Sequence, residues 1–115
     1  MTPFGNEQNR HFNLKEAEEF KNRFFVRKRL FETSNMHLNV YYLAPRLEIP
    51  LHRHPITDEI LYFVEGNGEC VVGDEKIPVK PGDLILVPQN TPHSIRNTNV
   101  SENHGMYFSP IPVAL

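Results

Sequence analysis

The sequence has a single cysteine, Cys70. One thiol cannot close an internal disulfide, so a disulfide-stapled scaffold is excluded and a reducing compartment is expected. Basic charge is not in excess: 12 Lys and Arg stand against 14 Asp and Glu, for a net charge of −2. That leaves no electrostatic footprint for nucleic acid or an anionic membrane surface. No apolar run approaches ~18 residues, so no span of a bilayer is expected. The first eight residues, Met1 to Gln8, hold no apolar stretch of the kind a signal peptide needs. The expectation is a cytoplasmic protein without a nucleic-acid or membrane partner.

What is present is proline and histidine. Ten prolines in 115 residues break long helices, which excludes a helix bundle. The length suits one domain, and a 39% hydrophobic content is enough for a core. Residues 1–12 are polar and aperiodic and read as an arm. Asn13 to Arg23 is predicted as the one helix. Asn13 is a good N-cap, with Glu16 three residues on as in a capping box. Leu14, Ala17, Phe20 and Phe24 then share one face, suited to packing on the main fold or on a second subunit. Residues 1–23 are thus an arm with a short helix, and 24–115 are the main domain.

Beyond that point the pattern is of strands. Phe24–Phe31, His37–Ala44, Glu59–Glu65, Glu69–Val72, Lys76–Val79, Asp83–Val87, His93–Asn97 and His104–Ser109 are short, rich in aromatic or β-branched residues, and bounded by turn residues. Glu65–Glu69 and Gly73–Glu75 read as hairpin connections. Lys80-Pro81-Gly82-Asp83 suits a type II turn, with Gly82 at positive φ. Many short strands at this spacing argue for an antiparallel sandwich or barrel. The basic run Arg27-Lys28-Arg29 reads as a solvated strand edge, where charge opposes aggregation. An entrance for an anionic ligand is its alternative reading.

Three of the six histidines form a pattern. His52 and His54 read as two residues of one strand, where i and i+2 face the same way. Glu59 opens the next strand and shares a face with Leu61 and Phe63. His93 begins a later strand. Three imidazoles and one carboxylate are a ligand set for a divalent transition metal. His11, His37 and His104 join no such pattern and read as structural or surface residues.

These residues also carry a family resemblance. His52-x-His54-x4-Glu59-x6-Gly66 resembles the first cupin motif. Gly82-x5-Pro88-x-Asn90-x2-His93-x3-Asn97 resembles the second. The resemblance covers about residues 40–108. It implies an all-β fold, the double-stranded β-helix or jelly-roll barrel, with a metal in its mouth. By residue matching the implied metal ligands are His52, His54, Glu59 and His93, holding one divalent ion per chain: Fe, Mn, Ni, Co, Cu or Zn. Two positions depart from the pattern. Arg46 stands where a glycine usually precedes the first His by six, and Asn90 stands where a glycine usually lies between Pro and His. Asn tolerates positive φ next best after Gly, so the second turn is expected to survive.

The resemblance implies a metal-dependent enzyme of dioxygenase, isomerase or lyase type acting on a small molecule. The alternative it leaves is a non-catalytic metal- or ligand-binding or sensor module. Strand alternation offers Tyr41 or Tyr42, Leu61, Phe63, Cys70, Val72, Ile95, Met106 and Phe108 as the barrel lining. Tyr41 and Tyr42 are the proton donors on the neighbouring strand, and no catalytic acid or base is assigned. Small cupins commonly pair through their N-terminal strands. A homodimer is therefore expected, with Phe24, Phe25 and Phe31 as apolar anchors.

Overall fold

The computed structural model describes residues 10–101 and 104–111. The first nine residues of the expected arm lie outside the described residues. Nine strands are found among those described: β1 Val26–Glu32, β2 His37–Leu43, β3 Glu48–His52, β4 Glu59–Glu65, β5 Gly68–Val72, β6 Glu75–Val79, β7 Leu84–Val87, β8 His93–Arg96 and β9 Met106–Pro110. They form a five-stranded sheet ordered β1-β2-β9-β4-β7 and a four-stranded sheet ordered β3-β8-β5-β6. Every pairing is antiparallel. The strands expected from the sequence all occur, with ends shifted by at most two residues. β3, the strand read at His52 and His54, differs more: it runs from Glu48 and ends at His52.

Alternation sorts the side chains onto two faces. Leu43, Leu61, Phe63, Cys70, Ile95, Met106 and Phe108 fill the space between the sheets as one buried cluster. Each large apolar side chain buried there contributes about 1.5–3 kcal/mol by leaving water. The alternate residues of β2 and β9 point the other way. Leu30, Val40, Tyr42 and Tyr107 form a second cluster outside the five-stranded sheet, covered in part by Leu14 and Ala17.

That cover is not a helix, and the expected helix over Asn13–Arg23 is corrected. Asn13 does cap, its Oδ1 accepting the N–H groups of Lys15 and Glu16 at 3.0 Å each. One turn forms, with the Ala17 N–H bonded to the Asn13 carbonyl. No further turn follows, and the carbonyls of the turn are tied to the barrel instead. The Tyr42 hydroxyl donates to the Leu14 carbonyl at 3.1 Å, and Lys28 Nζ donates to the Ala17 carbonyl at 2.8 Å. A single turn gains too few hydrogen bonds to outweigh such tertiary partners.

The Glu65–Glu69 connection is also corrected. It is no hairpin, since β4 and β5 belong to different sheets. Gly66 makes the crossing possible. Its φ is +83°, and a Cβ there would lie 2.5 Å from the Gly105 carbonyl oxygen. The other turns form as expected. Gly73 and Asp74 link the paired ends Val72 and Glu75, and Gly82 sits at φ +94°.

Candidate metal centre

Three strand ends meet at one end of the barrel. His52 is the last residue of β3, Glu59 the first of β4 and His93 the first of β8. His52 and His93 are partners across the β3–β8 ladder. The ladder shifts register between Ile49 and His52. Pro50, with no N–H to give the ladder, occupies the irregular stretch. His54 lies beyond β3, so extension of the chain rather than strand pairing aims it. Its backbone is held from the other motif: the Asn90 N–H donates to the His54 carbonyl at 2.6 Å. Asn90 has φ +60°, as its glycine-like position requires. Arg46 also adopts positive φ, +71°.

The imidazoles converge. Ring centroids lie 4.2 Å apart for His52 and His93, 5.1 Å for His52 and His54, and 5.4 Å for His54 and His93. One ring nitrogen from each lies within 4.8 Å of the other two. His52 Nδ1 lies 2.8 Å from the Pro50 carbonyl, and His93 Nδ1 lies 3.0 Å from the Thr91 carbonyl. A carbonyl only accepts, so Nδ1–H is the donor in both rings and the Nε2 lone pair faces inward. This is how ligating histidines are oriented by their outer partners.

Glu59 borders the set. Its carboxylate oxygens lie 3.3 Å from His93 Nε2 and 3.7 Å from His54 Nε2. Burial pushes the Glu59 carboxyl up, but contact with His93 and the charges of the three histidines outweigh it, and the net displacement is downward. Burial lowers His93, yet Glu59 and the Thr91 carbonyl raise it further. His52 is lowered, by burial first and then by the neighbouring imidazoles, against the opposing Pro50 contact.

His93 is 1% exposed, and its Nε2 is fully buried without a hydrogen bond. In the Nδ1–H tautomer its lone pair faces a Glu59 carboxylate oxygen 3.3 Å away, acceptor against acceptor, and a buried nitrogen so placed is costly. A cation bonded to that lone pair removes the cost, and two further imidazoles stand ready to share it. His52, His54 and His93 are therefore positioned to bind a metal, and the site fits the ion that the fold implies.

A cavity of about 400 Å³ opens beside these residues. Tyr41, Leu61, Ile95 and Phe108 line it, as strand alternation predicts, together with Phe25, Arg27, Ile49, Pro50 and Pro110. Phe63, Cys70 and Met106 lie in the core instead, and Tyr42 faces the outer cluster. Phe25 packs against the inner cluster, and Phe31 packs edge-on against Phe12 at 5.1 Å. Of the three expected interface anchors only Phe24 is largely exposed, at 71%. His11, His37 and His104 are exposed and stand outside the cluster. The motif residue Asn97 is fully buried. Its Nδ2 donates to the carbonyls of Leu43 and His104, and its Oδ1 accepts from the backbone and side chain of Asn99.

Residues 39–103, more than half of the chain, match the family of cupin domains, and the chain belongs to that family. An oxalate-binding protein of Thermotoga maritima is 31% identical over 88 residues, covering 76% of this chain and 62% of that protein. An RmlC-like cupin protein of Desulfovibrio desulfuricans superposes with a TM-score of 0.71 at 30% identity, covering 88% of this chain and 94% of the other. A Thermus thermophilus structure superposes with a TM-score of 0.80 at 22% identity, covering 90% and 96%, and shares the fold. The chain matches only 38% to 62% of the length of its curated relatives. Among the described residues no helix is long and apolar enough to cross a membrane.

Proposed function

We propose that this cupin is a metal-dependent enzyme of dioxygenase, isomerase or lyase type. In this reading His52, His54, Glu59 and His93 hold one divalent transition metal per chain, and the adjoining cavity takes a small organic molecule. The observation that carries it is the buried, unbonded Nε2 of His93 beside two other convergent imidazoles. A bound ion would supply Lewis acidity or a redox-active centre. The chain's own residues do the rest. The Nδ1–H donors of His52 and His93 keep their rings in the ligating tautomer. Leu61, Ile95 and Ile49 keep water from one side of the cavity. Tyr41 and Phe108 stack at 5.2 Å and 9° to present a flat wall to a planar substrate. The name of the Thermotoga relative supports a small-molecule ligand at this place.

A non-catalytic binding module is the second reading. It is favoured by one observation: among the described residues, the only polar side chains lining the cavity beyond the four proposed ligands are Arg27 and Tyr41. Turnover decides between the two. The stripped protein is reloaded in turn with Fe(II), Mn(II), Ni(II), Co(II), Cu(II) and Zn(II), and assayed on small organic acids and carbonyl compounds. About one equivalent of metal per chain with turnover is expected. Uptake without turnover favours the module, and no uptake of any ion overturns both. We further assign the cytoplasm as the compartment and a homodimer as the assembly, the latter supported by the exposed side chains of Phe24, Leu84 and Leu86. A monomer by light scattering would overturn the dimer.

A further inference from the structure

We infer that Arg27 is an anion anchor, and that the ligand of the cavity is a small organic acid. Its carboxylate is held by the Arg27 guanidinium, and its apolar or aromatic body rests against Phe25, Tyr41 and Phe108. The inference deepens the functional reading above, and it rests on Arg27, which is not one of the proposed ligands.

Three observations carry it. The first is direction. Val26 and Leu30 pack in the outer cluster and Lys28 bonds to the N-terminal turn, so the even positions of β1 face outward. Phe25 packs on the inner cluster, and Arg27, two residues on, lines the cavity at the strand edge, where it also borders the groove beside Glu16 and Ala17.

The second observation is charge. The neighbouring basic residues are neutralised: Lys28 by Glu19 at 3.3 Å, and Arg29 by Glu32 at 2.9 Å with Asn39 at 3.1 Å. Arg27 has no ion pair or side-chain hydrogen bond among the described residues. The acid that lines the cavity, Glu59, is engaged by His93 and His54. A guanidinium is a planar fork that fits a carboxylate with two parallel hydrogen bonds. Here that fork has no protein carboxylate to meet.

The third observation is the wall next to it. Arg27 is the cross-strand partner of Tyr41, which stacks flat on Phe108 and meets Phe25 at a centroid distance of 6.0 Å. A charge beside an aromatic wall is complementary to a molecule with one anionic end and one apolar end.

The sequence has no tryptophan to report binding, so calorimetry is the measurement. Benzoate and phenylacetate are titrated into metal-loaded and metal-free protein, alongside their neutral amides. Wild-type protein is expected to bind at least one of the acids tenfold or more tighter than its amide. Arg27→Gln should erase that preference, and Arg29→Gln, whose residue is already paired, should leave it intact. Arg27 lies exposed on an edge strand, so its variant is expected to melt with the wild type and to take up metal as the wild type does. The inference is overturned if wild type shows no preference for acid over amide, if the preference survives Arg27→Gln, or if Arg29→Gln erases it equally. The metal-free titration judges Arg27 by itself, whereas failure of wild-type protein to take up metal would sink only the metal reading.

Discussion

The backbone N–H of Asn90 donates to the carbonyl of His54 at 2.6 Å. This bond joins the turn that precedes His93 to the loop that carries His54, so the two halves of the candidate centre are set against each other by main chain. A second tie runs alongside, from the Gln89 N–H to Asp58 Oδ1 at 2.8 Å. Asn90 can make its bond because it adopts φ +60°.

Asn90→Gly is expected to keep stability within about 0.5 kcal/mol, because Gly takes positive φ without steric cost. Asn90→Val should cost about 1–2 kcal/mol, the penalty of a left-handed conformation for a residue with a branched Cβ. It should also weaken metal uptake by displacing His54. Urea denaturation and a metal titration on each variant check this. A valine variant as stable as wild type would contradict the role given to the turn.

Metal loading should raise the melting temperature, since an ion that binds only the folded state stabilises it by mass action. At a free concentration 100 times the dissociation constant the gain is about 2.7 kcal/mol. Chelator should reverse it, and His54→Ala or Glu59→Ala should shrink it. Uptake should also weaken as pH falls, because protons compete for imidazoles and His93 is raised above the ordinary value. Melting curves that ignore chelator at every pH would count against the site.

Asn97→Ala should cost about 2–4 kcal/mol, because the Leu43 and His104 carbonyls would lose their Nδ2 donor in a buried place. Asn97 takes no part in the proposed ligand set, so metal stoichiometry should hold in the fraction that folds. Chemical denaturation and elemental analysis test the two halves separately.

Alkali should destabilise the protein. Burial first, and then the Glu59 charge, pushes the Cys70 thiol from 9.0 up to about 11. Burial likewise pushes Tyr42 and Tyr107 from 10.0 to about 12, with help from neighbouring negative groups. Each is an acid that the folded chain holds protonated and the unfolded chain releases. Their contribution is therefore complete below pH 9.0 and is lost on rising to about 12. The urea midpoint should fall as pH rises from 9.0 to about 11, and Cys70→Ala should flatten the early part of that fall. A constant midpoint across this range would refute the account.

Arg46→Gly is expected to stabilise by about 0.5–1 kcal/mol, since Arg46 sits at φ +71°, where a side chain is strained. The melting temperature should rise. A fall would mean that the arginine side chain contributes more than its backbone strain removes.

Most of the candidate centre was legible because its signals are local. His52, His54 and Glu59 lie within eight residues, and Leu61 and Phe63 follow Glu59 on one face of the same strand. Asn90 was legible because few residues besides Gly tolerate its backbone. What the sequence hid depends on partners far along the chain. Whether Tyr41 or Tyr42 faces the cavity is a matter of parity, and parity is fixed only when β2 meets β1 and β9. The inward turn of Phe25 and Arg27 depends on the same register. The strand read at His52 and His54 is β3, but it runs from Glu48 and ends at His52, and its bounds are hidden because Pro50 interrupts it. The helix over Asn13–Arg23 had good local signals, but Tyr42 and Lys28 tie the carbonyls of its one turn to the barrel.

Those two contacts have an evolutionary consequence. Tyr42 and Lys28 grip the N-terminal segment by carbonyl oxygens, a group every residue carries. At these two contacts the segment's own side chains are not read, so selection to retain the clasp falls on the barrel, while Leu14 and Ala17 are held apolar by the cluster they cover. Relatives that share this arrangement need share no recognisable motif before β1. Comparing the residues at positions 28 and 42 would find them where aligning the segment itself would fail.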